Sequence, residues 1–503
     1  MAISIGATTF PTLRAAINAA VGGNTISLAA GSYDIKNYGA GSGNFFIPGL
    51  ARFQSSRSGI TGLTLAGAPA ATTITNLERI YASAKDAGFG IPTNWTIRDL
   101  TLAFNFTGTS EYILQAGNKI VSGGVVTGAT LPVTGLSLIN LTFTGTHRGN
   151  SGANGAYSDL TGASNLMLDT VTVDQNFGGQ QTYVAGTTTA LSSGGSAFLF
   201  AQGSAMTVQD STFYEGGYGN SITFFDSTGF TVARNVFDAE HQRKQRGQIF
   251  SNSSGQITEN QFLNGTHLDL MNVNRKTVTV AGNSFEGGFT SFGLGVVIDA
   301  GQTLYNLRTI SATGNTFKDV VPFTSLITQA ATGASGGTGV TGTQQLSFGP
   351  NEVWNPATGA FQSFQRFLVG GVGNDSLNGT SSPRRADFIT GGLGNDTLMG
   401  NGGPDVFAFT TPLGPTNVDT ITDFKASGAD KIWLDDSVFT GLSQGALAGG
   451  DFGTTAAAGL AVVFSGGSLY FREGGSASLS DYMEFAKLTG TSISPVAADF
   501  VVF

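Results

Sequence analysis

Four short stretches, ARNVF, TENQF, AGNSF and ATGNTF, each place an asparagine two residues ahead of a phenylalanine: Asn235, Asn260, Asn283 and Asn315 before Phe237, Phe262, Phe285 and Phe317. QDSTF, with Phe213, is a weaker copy. Successive phenylalanines lie 24, 25, 23 and 32 residues apart, about the chain length that three short strands and their turns need at roughly 3.3 Å per strand residue. A chain that returns to the same side chain at this interval stacks coil on coil. One ring per coil stacks inside. The asparagine suits a sharp turn, because its side chain tolerates left-handed backbone and can bond to its equivalent in the next coil. An antiparallel β-sandwich is the competing fold, but it does not account for the coil spacing.

The start, FPTLRAAINAAVGGNTISL, holds the one convincing helix, at residues 11–21: Leu13, Ala16, Ile17 and Ala20 follow helical spacing, with Pro11 ahead and Gly22-Gly23 behind. Short strands follow. The echoes RDLTL, INLTF and LDTVTV are spaced more widely, so the coils between residues 36 and 200 carry insertions. ATGASGGTGVTGT (331–343) reads as a loop near the far end, before FGPNEVW and FQSFQRF. An opening helix followed by repeated Asn-bearing coils resembles right-handed parallel β-helix proteins of the pectate lyase-like class. The resemblance covers residues 1–365 and is one of architecture. It implies that the helix plugs the first coil and that the asparagines mark the turn between second and third strands.

A second module repeats every nine residues. GGVGNDSLN (370–378), GGLGNDTLM (391–399) and GNGGPDVFA (400–408) follow G-G-x-G-x-D-x-U-x, the last with Asn401 in place of a glycine. Between them GTSSPRRADFIT (379–390) departs from the pattern by three extra residues, Arg384 and Arg385 among them. These stretches resemble the RTX (hemolysin-type) calcium-binding repeat, and the fold expected is all-β: a β-helix over 1–365, a calcium-binding parallel β-roll over 366–410 and a β-rich cap over 411–503. The resemblance implies several Ca2+ ions between turns n and n+2. Carried over, it pairs Asp387 with Asp405 and Asp375 with Asp396, the glycines Gly371, Gly373, Gly392, Gly394 and Gly403 turning carbonyls toward the ions. Calcium takes six to eight oxygens from carboxylates and carbonyls.

Charge fits that expectation. Residues 366–503 hold 14 acids against 7 bases, whereas residues 1–365 hold 19 against 17. An acidic balance argues against nucleic acid and against an anionic membrane surface. No apolar run reaches the roughly 20 residues of a spanning helix, and MAISIGATTF lacks the regions of a cleaved leader. With no cysteine, an extracellular chain needs another staple, and calcium is the candidate. The end, to PVAADFVVF, resembles the uncleaved C-terminal signal of type I secretion substrates.

Chemistry concentrates in FDAEHQRKQRGQIF (237–250). A β-helix joined to such repeats resembles alginate epimerases, and the resemblance implies residues that neutralise a uronate carboxylate and move its C5 proton; His241, Arg243, Lys244 and Arg246 are of those types. His147, His241 and His267 follow repeat aromatics by four or five residues, which places them along one edge. Asp226, Asn252, Asn272 and Asp299 form a possible polar row on the first strands, and Asp226 with Asp238 or Glu240 a possible acid pair. The same stretch also reads as a solvated loop, and the alginate epimerase signature Tyr-Gly-Phe-Asp-Pro-His is absent. Tyr214, Tyr218 and Phe289 are weak candidates for sugar stacking. The expected role is structural rather than enzymatic: a secreted protein that self-associates into a surface layer, filament or matrix. The alternative is a lyase or C5-epimerase of uronate polysaccharide.

Overall fold

The computed structural model describes residues 2–34, 44–46, 61–77, 79–81, 93–106, 114–115, 118–122, 125–130, 133–147, 158–173, 198–214, 221–238, 246–264, 266–271, 276–287, 294–298, 310–320, 322–327, 346–426, 429–490 and 494–503. It divides into two compact units, Met1–Thr266 with Lys276–Val278, and His267–Arg275 with Thr279–Phe503. The expected boundary at 365 lies inside the second.

In the first unit, strand Ile3–Ile5 pairs antiparallel with both Thr8–Phe10 and Thr25–Leu28. The helix Leu13–Ala19 packs against the first two of these strands. The Thr12 hydroxyl starts it by accepting the Ala15 N–H at 3.0 Å. From Thr25–Leu28 onward the pairing is parallel: to Thr64–Ala66, Thr96–Phe106, Ser137–His147 and Met167–Val173, then Thr207–Gln209, Thr228–Ala233 and Ser254–Thr258. A second rank, Thr212–Tyr214, Val236–Asp238 and Gln261–Leu263, and a separate parallel sheet through Phe198–Ala201, Ile222–Phe225 and Arg246–Ser251 complete each coil. This is a parallel β-helix.

Two columns explain why these residues coil. Phe213, Phe237 and Phe262 stack at 5.2 and 5.1 Å between centroids, and Phe200, Phe224 and Phe250 at 4.5 and 5.2 Å, close to the ~4.8 Å strand spacing. Beside the first column runs the asparagine ladder: the Asn235 N–H and Nδ2 both donate to Asn260 Oδ1 at 2.9 Å. One expectation needs correcting. The asparagines are not the left-handed residues. Those are the ones immediately before them, Arg234 (φ 56°) and Glu259 (φ 58°), with Asp99, Asn140, Thr170 and Asp210 in the same row of earlier coils. The bend falls one residue earlier, so the Asn side chain turns into the coil and satisfies backbone groups that no water reaches.

The coils with long insertions are held by another marker. Thr61, Thr93, Thr134, Ser164, Ser204 and Thr228 bridge one another in parallel, each followed two residues later by a buried apolar residue: Leu63, Trp95, Leu136, Leu166, Met206 and Phe230.

The second unit continues both themes. Leu294–Ile298 pairs in parallel with Thr266–Met271 and Phe323–Ile327, and Thr316–Lys318 with Ser284–Glu286 and Asn351–Asn355. Asn283 donates to Asn315 and Asn315 to Asn351, so the ladder gains a rung that the Asn-x-Phe pattern did not include. From Arg366 the strands alternate between two sheets. One runs Arg366–Val369, Asp387–Thr390, Val406–Phe409, Lys431–Leu434 and Phe500–Val502. The other runs Ser376–Asn378, Thr397–Met399, Asp419–Ile421 and Met483–Leu488. Leu368, Leu377, Ile389, Leu398, Phe407, Ile421, Ile432 and Phe500 fill the space between. Both sheets run on past residue 410, where the roll was expected to stop.

Asn315→Ala deprives the Asn283 N–H of its acceptor in a buried place. It is expected to destabilise the protein by about 1–3 kcal/mol, read as a lower urea midpoint. An unchanged midpoint would show that the ladder is not a stabilising element.

Candidate metal centre

The roll's turns bring its aspartates into two columns. In the first, the Asp375 N–H donates to Asp396 Oδ1 at 2.7 Å and the Asp396 N–H to Asp419 Oδ1 at 3.1 Å. In the second, the Asp387 N–H donates to Asp405 Oδ1 at 2.8 Å and the Asp405 N–H to Asp430 Oδ1 at 3.0 Å. Asp396, Asp419, Asp405 and Asp430 thus each accept the backbone N–H of the aspartate before them in the column with Oδ1, while Oδ2 of Asp387 and of Asp430 accepts the N–H of Thr380 and of Lys425. The pairs expected from sequence, Asp375 with Asp396 and Asp387 with Asp405, are brought together. Asp419 and Asp430 were missed. Of the motif's three glycines each keeps only one, Gly414 and Gly428, but the tripeptide persists: Asp, any residue, then a core residue, as in DSL, DFI, DTL, DVF, DTI and DKI.

Glycines let the turns stack closely. A Cβ on Gly391 would lie 2.2 Å from Asp396 Oδ2 and 2.9 Å from Asp419 Oδ2, and one on Gly379 would lie 2.4 Å from the Gly400 carbonyl and 2.8 Å from Asp387 Oδ2. The turn with three extra residues therefore still begins in close contact with the turn at Gly400. Gly392, Gly394 and Gly403 would each collide with a carbonyl of an adjacent turn, those of Gly371, Gly373 and Arg385, so Arg385 takes the place of a motif glycine without breaking the stack. Gly371 donates its N–H to Asp375 Oδ2 at 2.7 Å.

Asp387 Oδ1, Asp396 Oδ2 and Thr380 Oγ1 are buried with no hydrogen-bonding partner. Buried polar atoms are nearly always satisfied, and here they share the turns with carbonyls and further carboxylates. The donor set is all oxygen and suits a hard cation. Among the described residues no three His, Cys, Asp or Glu side chains are grouped to hold a metal ion. A cation in these turns would draw on two aspartates at a time, Asp375 with Asp396 or Asp387 with Asp405, together with backbone carbonyls.

Without one, the columns are electrostatically costly. Burial raises Asp375, Asp387, Asp396, Asp419 and Asp430 above the usual 3.8. Burial, aided by the charges of Asp430, Asp387 and Asp423, pushes Asp405 up to about 8. Asp423 faces this column while accepting the N–H groups of Gly400 and Asn401 at 3.0 and 2.7 Å.

The second set of expected residues is only partly placed. His241, Arg243, Lys244, Glu240, Asn272, Asp299, Tyr218 and Phe289 lie outside the described residues, and Arg246 is described only as backbone at the start of Arg246–Ser251. His147 ends the strand Ser137–His147. Asp226 accepts a hydrogen bond from Asn252 on the next coil, as the polar row requires. Asp238 instead accepts from Asn264 at 2.8 Å. His267 lies within the strand Thr266–Met271, buried, with Nε2 3.2 Å from Asp269 Oδ2. Tyr214 is 40% exposed.

No protein-family description matches this chain, and no curated protein sequence matches it. Solved structures overlap with it loosely. A mannuronic acid specific polysaccharide family 6 lyase from human gut microbiota is 10% identical over 84% of each chain, with a TM-score of 0.40. A PL6 alginate lyase in complex with a trisaccharide is 12% identical over 97% of this chain and 92% of that one, at 0.38. The A-module of an Azotobacter vinelandii mannuronan C-5 epimerase is 14% identical over 83% and 87%, at 0.31. Overlap this loose transfers neither a residue nor a substrate.

The raised carboxylates set a pH dependence. Their folded values lie above the unfolded 3.8, so the folded roll holds protons that the unfolded chain releases. Without a cation, this stabilisation is complete below the unfolded value and is lost as pH rises through the folded ones, about 8 for Asp405. In chelator, thermal melts are expected to show a more stable roll at about pH 5.5 than at about pH 8.5. The reverse order would contradict the burial of these acids.

Proposed function

We propose that this chain is an extracellular calcium-binding protein of the RTX type, in which Ca2+ folds the C-terminal roll and the β-helix serves as a stiff body that contacts an acidic polysaccharide matrix or other copies of itself. The observation that carries the reading is the pair of aspartate columns with buried, partnerless oxygens. Calcium would supply the charge that lets them stand ionised side by side; its binding energy is then folding energy. In a calcium-poor compartment the carboxylates repel and the chain stays open for export. Where calcium is abundant the roll closes. Type I export fits this order of events and belongs to the same proposal.

The test is titration of chelator-treated protein with CaCl2, followed by circular dichroism and calorimetry, with MgCl2 as control. Wild type is expected to gain β-structure and bind several ions. Asp405→Asn should reverse sign with conditions: more stable than wild type in chelator at about pH 8.5, where the buried carboxyl of wild type ionises, and less stable in calcium. No calcium response in wild type would end the reading.

One observation favours a second reading, processing of a uronate polysaccharide. His267 and Asp269 share one face of their strand, opposite Leu268 and Leu270, which are fully buried. An imidazole oriented by a carboxylate suits proton transfer at the C5 position. Incubation with alginate or polygalacturonate would then raise ultraviolet absorbance from unsaturated uronate, or change the anomeric proton spectrum for epimerisation. His267→Ala should slow this at least about 100-fold. No product from wild type would remove the reading and leave the calcium roll untouched.

A further inference from the structure

The second aspartate column ends at Asp430, and one residue joins that end to the C-terminal strand. The Lys425 N–H donates to Asp430 Oδ2 at 2.7 Å, while its ammonium donates to Asp499 Oδ2 at 2.5 Å. Asp499 is 3% exposed. Its carboxylate also accepts the Val496 N–H at 2.8 Å and has Lys431 Nζ 3.8 Å from its other oxygen. Lys431 Nζ in turn donates to the Ala498 carbonyl at 2.8 Å. The strand so held, Phe500–Val502, lies parallel to Lys431–Leu434 and puts Phe500 and Val502 into the roll's core.

Lys425 is an unexpected residue at its position. In two of the preceding turns a left-handed residue stands four places before the aspartate, Gly392 (φ 88°) before Asp396 and Asn401 (φ 64°) before Asp405. Five places before Asp430 it is Lys425 (φ 58°). Glycine adopts this conformation freely and asparagine tolerates it; lysine does so at a cost. Something other than the backbone must favour it, and the side chain shows what. Its stem is only 20% exposed, its ammonium lies 5.7 Å from the Phe424 ring centroid, and it ends on a buried carboxylate.

We propose that Lys425 is a cation the chain supplies to itself: where the aspartate column runs out, its ammonium fills the place of a bound metal ion and pins the C-terminal strand to the roll. The comparison with a metal rests on the calcium reading above; the pinning does not. The last interval of the column then closes without an added ion. Lys425 is a positioning residue, acting on the strand through Asp499.

Hydrogen exchange followed by mass spectrometry on the full chain, at one saturating CaCl2 concentration, separates this from a merely structural turn. Lys425→Gly restores the residue the turn prefers, so a backbone role predicts slower or unchanged exchange in 494–503. The ion-plug role predicts exchange there about tenfold faster or more, with Val406–Phe409 unaffected. Adding Asp499→Asn removes the stranded charge and should return most of the protection. Lys425→Arg should resemble wild type. Slower or unchanged exchange in Lys425→Gly, or a double variant no better than the single, overturns the proposal. Should Lys425→Gly fail to fold, Asp499→Asn alone is expected to speed exchange in 494–503 severalfold, and no change there overturns it equally. All variants are compared in one buffer, so a chain indifferent to calcium still reports on the pin, and the calcium reading fails separately, in the titration of wild type.

Discussion

The C-terminal roll depends on carboxylates being stacked where water does not reach them. A parallel turn repeated at strand spacing puts identical side chains directly above one another, and when that side chain is aspartate the charges add. Asp396 and Asp405 are each 1% exposed and Asp387 is fully buried. Such a column is stable only when something balances it: protons, a metal ion, or a charge built into the chain. The raised proton affinities, the partnerless oxygens and the lysine at the column's end are three consequences of this one constraint.

The β-helix solves the same geometric problem with neutral groups. Asn235 with Asn260, Asn283 with Asn315, and Asn315 with Asn351 bond amide to amide. At another turn the Ser227 hydroxyl accepts the Gly203 N–H and that of Ser253 accepts the Ser227 N–H. An amide or hydroxyl both donates and accepts, so a column of them closes on itself and needs no ion. A carboxylate only accepts. The difference separates columns that satisfy themselves from columns whose charge must be balanced by something else.

Much of this was legible because repetition writes structure into spacing. The Phe237 and Phe262 rings stack as their interval required, and Asp375 meets Asp396 across a turn. What escaped had lost its marker. Asp419 and Asp430 continue the columns where all but one of the motif's glycines have gone, and the aspartate-to-core-residue offset is what survives intact. The Thr61 to Thr228 ladder was hidden by insertions that stretch its intervals. The left-handed row, Arg234 and Glu259 among it, carries no shared side chain at all, because there the backbone conformation repeats and the residue type does not. His267, expected along one edge, lies within the strand Thr266–Met271, buried beside Asp269, since counting from Phe262 gave a distance along the chain and not the start of the next strand.

The most direct measurement is anomalous diffraction at long wavelength from crystals grown with calcium. Peaks between successive aspartates of both columns, Asp375 to Asp419 and Asp387 to Asp430, with none between Asp430 and Asp499, are the result this account predicts. Columns empty of anomalous signal, or calcium found only on the protein's outer surface, would contradict it.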